Sequence, residues 1–518
     1  MLAAENDVVP GAKVGGIGDV LRDIPRALAN AHGANGQSPA VSVIIPAYNA
    51  FHQLPGATLL HTVEVDFADA TETLELYELF HERDNGVRYF VLHHALFGAG
   101  GAGAVYCNDG SDRPFATDAN KFALFSVGAL ETILSNTLGT VDVLHLHDWH
   151  TGMASVLREF HPRYAALKHI KTVFSIHNLA LQGIRPLAND ESSLQTWFPA
   201  LHVDNSKVID PRWTDCVNPV AASIRLADVV HTVSPSYSLE IIQPNSPERG
   251  FHGGEGLERE LQQCAERNAL VGIINGIDYN TPVANRVEWH SVMFTIGNTL
   301  LSWLGENDAV STTDYVAHQR TQQWMASNRP RHVFTSVGRL TDQKMALLME
   351  TGESGELVLD ELLARIKDTG VFILLGSGDA DLEAKCRRSA AKHTNFLFLN
   401  RYAQNLSDLL FANGDVFLMP SSFEPCGISQ MLAMRQGQPC LVHAVGGLRD
   451  TIKNNEDGFQ FEGTSVQTQV SALLERFNDI IELRETEPDV FRDIANRARE
   501  QRFLWQTSAE QYLNKLYS

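Results

Sequence analysis

Short apolar runs separated by helical segments constrain the fold of this chain more than any other feature. Turn residues bound the runs, which occupy residues 41–46, 89–92, 141–146, 172–176, 229–233, 270–274, 333–337, 371–375, 396–399, 416–419 and 440–442. Helical patterns, such as those over residues 122–135 and 381–393, lie between them. Strands that are apolar on both faces and alternate with helices are typical of buried parallel sheets. The pattern therefore predicts an α/β fold.

The length of the chain predicts more than one domain. It has 518 residues and a hydrophobic content of 44%, which is enough for sizeable cores. Single cores rarely grow beyond roughly 300 residues, so we expect at least two domains and a cleft. Residues 278–330 are polar, irregular and poor in strand patterns. We place the boundary between the domains near the start of this stretch.

The charge balance argues against a nucleic-acid partner. Lysine and arginine total 41 against 62 acidic residues, which gives a net charge of -21. Such a chain repels a phosphate backbone, so phosphate groups must be held by a few local cations and backbone amides. A neutral polymer such as a glucan meets no such repulsion.

Cysteine usage and the N-terminal segment favour a cytoplasmic location. The six cysteines are scattered without a CxxC pair, which indicates neither a zinc site nor a disulfide framework. The first residues lack the cationic and apolar regions of a signal peptide, and no run of about 18 apolar residues occurs. We expect no membrane partner.

A glycine-rich loop lies near the N-terminus. The segment KVGGIGDV, residues 13–20, follows a short first strand and begins a helix that runs through Leu28. Glycines let a backbone approach a phosphate closely. An ordinary strand-to-helix turn gives the same pattern. The spacing also departs from GxGxxG, which leaves a nicotinamide dehydrogenase as an alternative with little support.

Asp148 and His177 each lie just past the end of a predicted strand. Ligands of open α/β sheets bind at this edge, so both side chains are candidates for a site. His177 alone is equally typical of a structural histidine. Histidines 145, 147 and 150 raise the question of a metal, but the segment lacks HExxH or a comparable ligand set. We therefore expect no metal.

Arg339 and Lys344 follow the predicted strand at residues 333–337. A guanidinium and an ammonium five positions apart at such an edge suit a diphosphate. Two solvated surface cations give the same sequence pattern. The residues are therefore an anion site only in combination with other groups.

Residues 420–430, PSSFEPCGISQ, contain the densest set of constrained residues. Glu424 offers a carboxylate for sugar hydroxyls, and the amides of Gly427, Ile428 and Ser429 at the start of a helix suit phosphate. Cys426 has no adjacent base and is more typical of a structural thiol than of a nucleophile.

These motifs occur in the order of one known family. They are KVGG at 13–16, HDWHTG at 147–152, HNLALQG at 177–183, TVSP at 232–235, NGID at 275–278, RLTDQK at 339–344, GSGD at 376–379 and FEPCG at 423–427. The set resembles the bacterial glycogen synthase and plant starch synthase family, glycosyltransferase family 5, over nearly the whole chain. Met345, Val14 and Ile17 depart from the family's usual glycine, threonine and leucine.

The resemblance implies an α/β fold of the GT-B type, with two Rossmann-like domains whose parallel sheets face each other across a deep cleft. It places the acceptor-side domain at residues 1–271, with a C-terminal helix at 502–518 packing back on it. The nucleotide-sugar domain then comprises residues 272–501. The implied reaction is retaining transfer of glucose from ADP-glucose, or UDP-glucose, to the non-reducing end of an α-1,4-glucan such as glycogen, without a cofactor or a metal.

The resemblance also assigns residues to roles. Arg339 and Lys344 would neutralise the leaving diphosphate, Glu424 would contact the transferred glucose, and His177 would lie under the reacting sugar. The implied substrate-binding residues are Lys13, Gly16, Asp19, Asp148, Asn275, Tyr402, Cys426, Gly427, Ile428 and Ser429. Among these, Gly16 and the amides near Gly427 would hold phosphates, and Tyr402 would stack on the nucleotide base.

Three alternatives stay open. A related enzyme using another sugar nucleotide would keep the phosphate cations and change the sugar contacts. A catalytically silent glucan-binding protein would have lost some of Lys13, His177, Arg339, Lys344 and Glu424, but all five are present. A phosphorylase would need pyridoxal phosphate, for which the sequence shows no recognisable lysine motif.

Overall fold

The computed structural model describes residues 1–33, 36–79, 86–111, 113–306 and 311–518. The chain forms two compact units. The first unit comprises Met1–Asn245, Gly253–Asp278 and Leu504–Ser518, and the second comprises Ser246–His252 and Tyr279–Phe503. The division falls after residue 278, whereas the predicted domain boundary lies after residue 271.

The strands of the first unit include all those predicted for this part of the chain. They are β1 (Val41–Pro46), β2 (Thr58–Phe67), β3 (Ala70–Leu79), β4 (Val87–His93), β5 (Val143–His147), β6 (Lys171–Ile176), β7 (Arg185–Pro186), β8 (Cys216–Val217), β9 (Val229–Thr232) and β10 (Leu270–Gly272). One sheet has the order β1-β4-β3-β2, and a second, entirely parallel sheet has the order β10-β9-β6-β5.

A single residue joins these two sheets. Leu2 forms parallel bridges both to Ile44 in β1 and to Leu146 in β5. Its backbone N–H donates to the carbonyl of His145 at 2.9 Å, and its own carbonyl accepts from the N–H of His147 at 3.2 Å. The short first strand expected from the sequence is therefore reduced to one bridge at the centre of the unit.

The hairpin of β2 and β3 corrects the expectation of a purely parallel arrangement. The two strands pair antiparallel, and β3 pairs antiparallel with β4. In β2 the buried residues alternate with exposed ones towards the strand's end, at Val63, Val65 and Phe67. Such alternation produces no continuous apolar run, so a search for buried parallel strands passes over it.

Helices pack against both sheets of the first unit. They are α1 (Gly16–Asn30), α2 (Ala116–Leu134), α3 (Gly152–Phe160), α4 (Leu194–Trp197), α5 (Asn205–Val208), α6 (Pro219–Leu226), α7 (Pro235–Glu240), α8 (Glu258–Glu266) and, after the second unit, α19 (Trp505–Gln511). Helix α2 is buried along most of its length, and its Gly128 lies against Leu74 and Leu92 so closely that a larger side chain would collide with them.

The second unit contains one parallel sheet with the order β13-β12-β11-β14-β15-β16. Its strands are β11 (His332–Val337), β12 (Gly370–Leu375), β13 (Phe396–Leu399), β14 (Val416–Met419), β15 (Cys440–His443) and β16 (Phe459–Phe461). Every one of β11 to β15 coincides with a predicted strand. The prediction of an α/β chain whose two domains are built on parallel sheets is therefore confirmed.

The helices of the second unit include two that the sequence did not indicate. They are α9 (Trp289–Gly305), α10 (Thr312–Met325), α11 (Asp342–Met349), α12 (Val358–Arg365), α13 (Ala380–Lys392), α14 (Gln404–Asn413), α15 (Ser429–Arg435), α16 (Gly446–Thr451), α17 (Val466–Thr486) and α18 (Pro488–Glu500). Helices α9 and α10 occupy the stretch expected to be irregular, and they pack against each other. That expectation was wrong because the polar residues of α10 and of the flanking segments dominated the stretch. The buried residues of α9 nevertheless recur at helical spacing, at Trp289, Val292, Met293, Ile296, Leu300 and Trp303.

Residues 504–518 belong to the first unit. The indole N–H of Trp505 donates to the carboxylate of Asp23 in α1 at 3.0 Å, and the Ser508 hydroxyl donates to the Ile274 carbonyl at 2.7 Å. Helix α19 is followed by a π-helical turn, Tyr512–Leu516. The segment thus consists of a short helix and a π-helical turn, whereas a single helix was predicted over residues 502–518.

Candidate active site

Asp148 lies immediately after β5 in a strained backbone conformation. Its φ of 54° falls in the left-handed region, which non-glycine residues adopt rarely and mostly at functional sites. The side chain is 6% exposed, and its Oδ1 accepts the backbone N–H of His177 at 2.7 Å. Burial raises the pKa of the Asp148 carboxyl to about 7, although backbone N–H donors at His177 and Asn178 oppose this shift. The ends of β5 and β6 are therefore joined through a buried carboxyl group.

His177 follows β6, and its ring is hydrogen-bonded to a second histidine. Its Nε2 lies 2.9 Å from Nδ1 of His147, the last residue of β5. Burial lowers the pKa of His177 to about 4, so the ring is neutral near pH 7. The structure thus brings together Asp148 and His177, the two strand-end residues predicted from the sequence.

The other histidines near Asp148 have partners within the protein. His145 contacts the Tyr517 hydroxyl at 2.7 Å and the Ser175 hydroxyl at 2.6 Å. His150 contacts the Tyr106 hydroxyl at 3.0 Å. Among the described residues, no group of three or more histidine, cysteine, aspartate and glutamate side chains has an arrangement that could hold a metal ion.

Glu5 supports the glycine-rich loop at residues 13–18. It was not among the site residues predicted from the sequence. The buried Glu5 carboxylate accepts the backbone N–H groups of Val14 at 2.5 Å and Gly15 at 2.7 Å. These two amides are therefore satisfied within the protein. A Cβ built on Gly16 meets nothing within 4 Å, so open space lies beside that residue. An acidic residue ending the apolar segment LAAE was the available signal.

Lys13 and Asp19, both predicted site residues, form an ion pair at this loop. The Lys13 ammonium lies 2.6 Å from the Asp19 carboxylate and 3.2 Å from that of Asp7. Arg22 reaches the same two carboxylates. The four side chains form a mixed charge network at the start of α1, in which each charge of Lys13 and Asp19 is compensated.

Asn275 lies in the loop after β10 and has a buried carboxamide. Asn275 is 5% exposed, and its Oδ1 has no hydrogen-bond partner in the part of the chain that the structure describes. The neighbouring Gly276 lies against the backbone of Trp505, where a Cβ would come within 2.4 Å of a backbone nitrogen. A buried oxygen without a donor is costly, so this group is suited to accept a hydrogen bond from a ligand.

In the second unit, Lys344 and Glu424 form an ion pair. The Lys344 ammonium, in α11, donates to a carboxylate oxygen of Glu424, which follows β14. The Ser421 hydroxyl donates to the same oxygen at 3.2 Å. Glu424 is 5% exposed. The two residues predicted to contact phosphate and sugar are thus in direct contact.

Arg339 lies after β11 and is exposed. Its guanidinium makes no hydrogen bond or ion pair with any residue that the structure describes. Met345, which replaces the family's glycine, is 3% exposed and packs in the core of the unit. The structure therefore leaves the charge of Arg339 uncompensated, while the charge of Lys344 is balanced by Glu424.

The turn at residues 424–429 is closely packed. Gly427 has a φ of 76°, and the Gln430 side chain donates from Nε2 to the carbonyls of Cys426 at 3.0 Å and Gly427 at 3.1 Å. The Gly447 N–H donates to the Glu424 carbonyl at 3.0 Å, and a Cβ on Gly447 would come within 2.3 Å of the Cys426 carbonyl oxygen. Ile428 and Ser429 then begin α15. The turn and Gly447 therefore fix the backbone that carries Glu424.

Tyr402 follows β13, at the carboxyl edge of the same sheet that carries Arg339. Its side chain is 63% exposed, and its hydroxyl donates to Gln404. Tyr402 therefore lies largely in solvent at this edge of the sheet.

Comparison with known proteins identifies the family. The model of the starch synthase catalytic domain matches residues 1–263, and the model of glycosyl transferases group 1 matches residues 325–499. The chain belongs to the glycogen synthase and starch synthase family. It is a glycosyltransferase of that family, as its motifs indicate.

Relatives in the glycogen synthase family match over their whole length. A glycogen synthase of Lactococcus lactis is 30% identical over 99% of this chain and 98% of its own. A glycogen synthase of Streptococcus equi subsp. zooepidemicus is 31% identical, with the same coverage of both chains. This chain is therefore similar to these synthases in both of its units.

Solved structures agree with this family assignment. The catalytic domain of starch synthase IV from Arabidopsis thaliana, bound to ADP and acarbose, is 26% identical with a TM-score of 0.72, covering 100% of this chain and 97% of the other. A sucrose-phosphate synthase from Thermosynechococcus elongatus, 16% identical with a TM-score of 0.52 over 98% of this chain and 96% of its own, shares the fold. The prediction of the GT-B fold class is confirmed.

None of the helices in the described ranges combines the length and hydrophobicity that a membrane crossing needs. None of the six cysteines, all of which lie in the described ranges, forms a disulfide.

Proposed function

We propose that this glycogen synthase family member transfers glucose from ADP-glucose to the non-reducing end of an α-1,4-glucan, with retention of configuration at the anomeric carbon. The observation that carries the proposal is the ion pair of Lys344 and Glu424, together with the exposed Arg339 guanidinium, which has no ion-pair partner among the described residues. Two further findings support the choice of donor and acceptor. A relative named glycogen synthase matches 99% of this chain, and the related starch synthase structure contains ADP and acarbose.

In this proposal the second unit, with the predicted domain 272–501, supplies the nucleotide-sugar groups. A diphosphate would bind the exposed Arg339 guanidinium and compete with Glu424 for the Lys344 ammonium. Glu424 would then accept hydrogen bonds from the hydroxyls of the transferred glucose. The turn at Cys426, Gly427, Ile428 and Ser429 would contribute backbone donors, and Tyr402 would stack on the base.

The first unit, with the predicted domain 1–271 and the segment 502–518, would supply the groups on the acceptor side. His177 would lie under the reacting sugar as a neutral ring, held by Asp148. The carboxamide of Asn275 would accept a hydrogen bond from a sugar hydroxyl. Lys13, Gly16 and Asp19 would contact the donor phosphates or the sugar at the glycine-rich loop.

The chemistry requires stabilisation of two developing charges. As the bond between the anomeric carbon and the diphosphate breaks, negative charge grows on the leaving oxygen, where Arg339 and Lys344 would stabilise it. The acceptor hydroxyl would lose its proton to a phosphate oxygen on the same face. These protein cations replace a metal in the proposal, so no cofactor is required. Six cysteines without a disulfide among them support a cytoplasmic location.

The test is an assay of glucan extension by the purified protein with glycogen as acceptor. We expect extension with ADP-glucose, and parallel reactions with UDP-glucose measure the donor preference. The same assay after exhaustive EDTA treatment tests the absence of a metal. Extension with neither nucleotide sugar would overturn the proposed function, and extension with UDP-glucose alone would overturn the donor.

A further inference from the structure

Two consecutive residues at the end of β5 hold His177 from opposite ends. The Asp148 carboxylate accepts the backbone N–H of His177 at 2.7 Å, and His147 bonds to its ring at 2.9 Å. The rings of His147 and His177 are nearly parallel, with an interplanar angle of 27° and centroids 5.2 Å apart. His147 is fully buried. The ring of His177 therefore has one orientation that keeps this hydrogen bond.

The surroundings of His147 determine which nitrogen carries its proton. Its Nε2 is buried and has no hydrogen-bond partner among the described residues. Buried N–H groups without an acceptor are rarer and more costly than unused lone pairs, so the Nε2 position holds the lone pair. The proton is then on Nδ1, which donates to Nε2 of His177. His177 must in turn carry its own proton on Nδ1.

Both rings are neutral near pH 7, so each carries one ring proton. Burial lowers the pKa of His177 to about 4, and burial with the neighbouring His145 and His177 lowers the pKa of His147 well below its ordinary value. The Nδ1 of His177 has no partner among the residues described. Its N–H is therefore the donor that His177 retains for a ligand.

We propose that His147 is a positioning residue that fixes the ring orientation and the tautomer of His177, so that His177 presents its Nδ1–H to the sugar. This inference rests on the proposed function for the role of His177. His147 itself touches no substrate in the proposal and acts only through its neighbour.

The position of His147 is supported from the opposite side. Its ring stacks on that of His145 at 4.3 Å between centroids. His145 is fixed by the hydroxyls of Ser175 at 2.6 Å and Tyr517 at 2.7 Å. A continuous set of contacts thus connects Tyr517, near the C-terminus, through the buried rings of His145 and His147 to His177.

The first experiment compares His147→Asn with His147→Leu. Asparagine and leucine have nearly the same shape, but only asparagine keeps a donor near the former Nδ1. We expect His147→Leu to lower kcat about tenfold, the effect of losing one hydrogen bond to a site group, with the KM for ADP-glucose little changed. His147→Asn should recover most of the lost kcat. Equal impairment of the two variants, or wild-type kcat in both, would overturn the positioning role.

The second experiment reads the tautomer directly and does not depend on activity. Nitrogen NMR of protein labelled with ¹⁵N-histidine distinguishes a protonated from an unprotonated ring nitrogen, and a His177→Gln sample identifies the His177 signals. We expect protonated Nδ1 and unprotonated Nε2 at pH 7. A proton on Nε2 would overturn the assignment even in an active enzyme, whereas an inactive enzyme with the expected tautomer would contradict the proposed function alone.

Discussion

The ammonium of Lys344 and the carboxylate of Glu424 are hydrogen-bonded although 80 positions separate them along the chain. Glu424 is almost fully buried, and the Lys344 side chain is partly exposed. The pair therefore presents its cation towards solvent and its anion towards the protein. A ligand that brings its own negative charge would meet Lys344 first and would release Glu424 for another contact.

Removing one of the two cations should slow glucosyl transfer. We expect Lys344→Ala or Arg339→Ala to lower kcat about a hundredfold, because loss of one preorganised contact to a developing anion costs roughly 3 kcal/mol. The control is Lys453→Ala, since Lys453 is a surface cation paired with Glu456 in the same unit. Steady-state kinetics of folded variants measures the effect. Turnover near the wild-type value in either variant would exclude that residue from phosphate stabilisation.

Glu424→Gln should separate nucleotide binding from transfer. The glutamine preserves the shape of the side chain and an oxygen for the Ser421 hydroxyl, but removes the charge that Lys344 compensates. We expect ADP to bind at least as tightly as before, because Lys344 no longer has a competing anion, while kcat falls by a factor of 100 or more. Calorimetric titration with ADP gives the first quantity. A parallel loss of ADP affinity would indicate a structural role for Glu424.

Glu5→Gln should loosen the glycine-rich loop. The Glu5 carboxylate accepts two backbone N–H groups, and a glutamine oxygen is a weaker, uncharged acceptor. We expect a raised KM for the nucleotide sugar and a loss of about 1–3 kcal/mol in the free energy of unfolding. Glu191→Gln, at an exposed position of the same unit, is the matched control. Unchanged KM and stability would show that the loop does not depend on Glu5.

Acidification should destabilise the first unit. Burial lowers the pKa of His150 and His231 to about 3 and of His177 to about 4, and it lowers those of His145 and His147 well below the ordinary value. Below pH 6.5 the unfolded chain binds protons that the folded unit does not, so stability present above this pH is lost as the pH falls. Each such histidine contributes up to about 1.4 kcal/mol per pH unit.

The raised pKa of Asp148, about 7, acts in the opposite direction. Its folded form binds the proton more tightly, so its contribution is lost as the pH rises from about 4 to 7. Burial also raises the pKa of Asp19, so two carboxyls of the first unit oppose the five histidines. Urea unfolding at several pH values, monitored by hydrogen exchange of amides in the first unit, measures the slope of the free energy of unfolding against pH. His231→Asn should reduce the number of protons taken up on unfolding by about one. His290→Gln, at an exposed position of the second unit, should leave that number unchanged. Equal stability at pH 7.5 and 5 would contradict the prediction.

The parallel strands were predictable because a strand buried on both faces must be apolar throughout. The runs at residues 41–46, 371–375 and 416–419 therefore coincide with β1, β12 and β14. The hairpin of β2 and β3 was missed because its exposed face carries polar residues. Helices α9 and α10 were missed because the polar residues around them dominated the pattern of that stretch.

The residues of the candidate site were easier to name than their contacts. Strand ends and glycine turns mark Asp148, His177 and Glu424 in the sequence, since local geometry places them at sheet edges. The contact of Lys344 with Glu424, and that of Glu5 with the glycine-rich loop, depend on how distant segments pack. No local pattern encodes such a distance. The roles of these residues stay predictions until the variants are measured.

Because residues 504–518 belong to the first unit, that unit is completed after the second one during translation. The ribosome makes the residues of β1 to β10 first, yet the indole of Trp505 cannot reach Asp23, nor Tyr517 reach His145, until residues 279–503 have been translated. The second unit is continuous over that range and can fold as soon as it emerges. The first unit therefore stays incompletely folded until residues 504–518 have been synthesised. In nascent-chain proteolysis we expect the first unit to become protected later than the second.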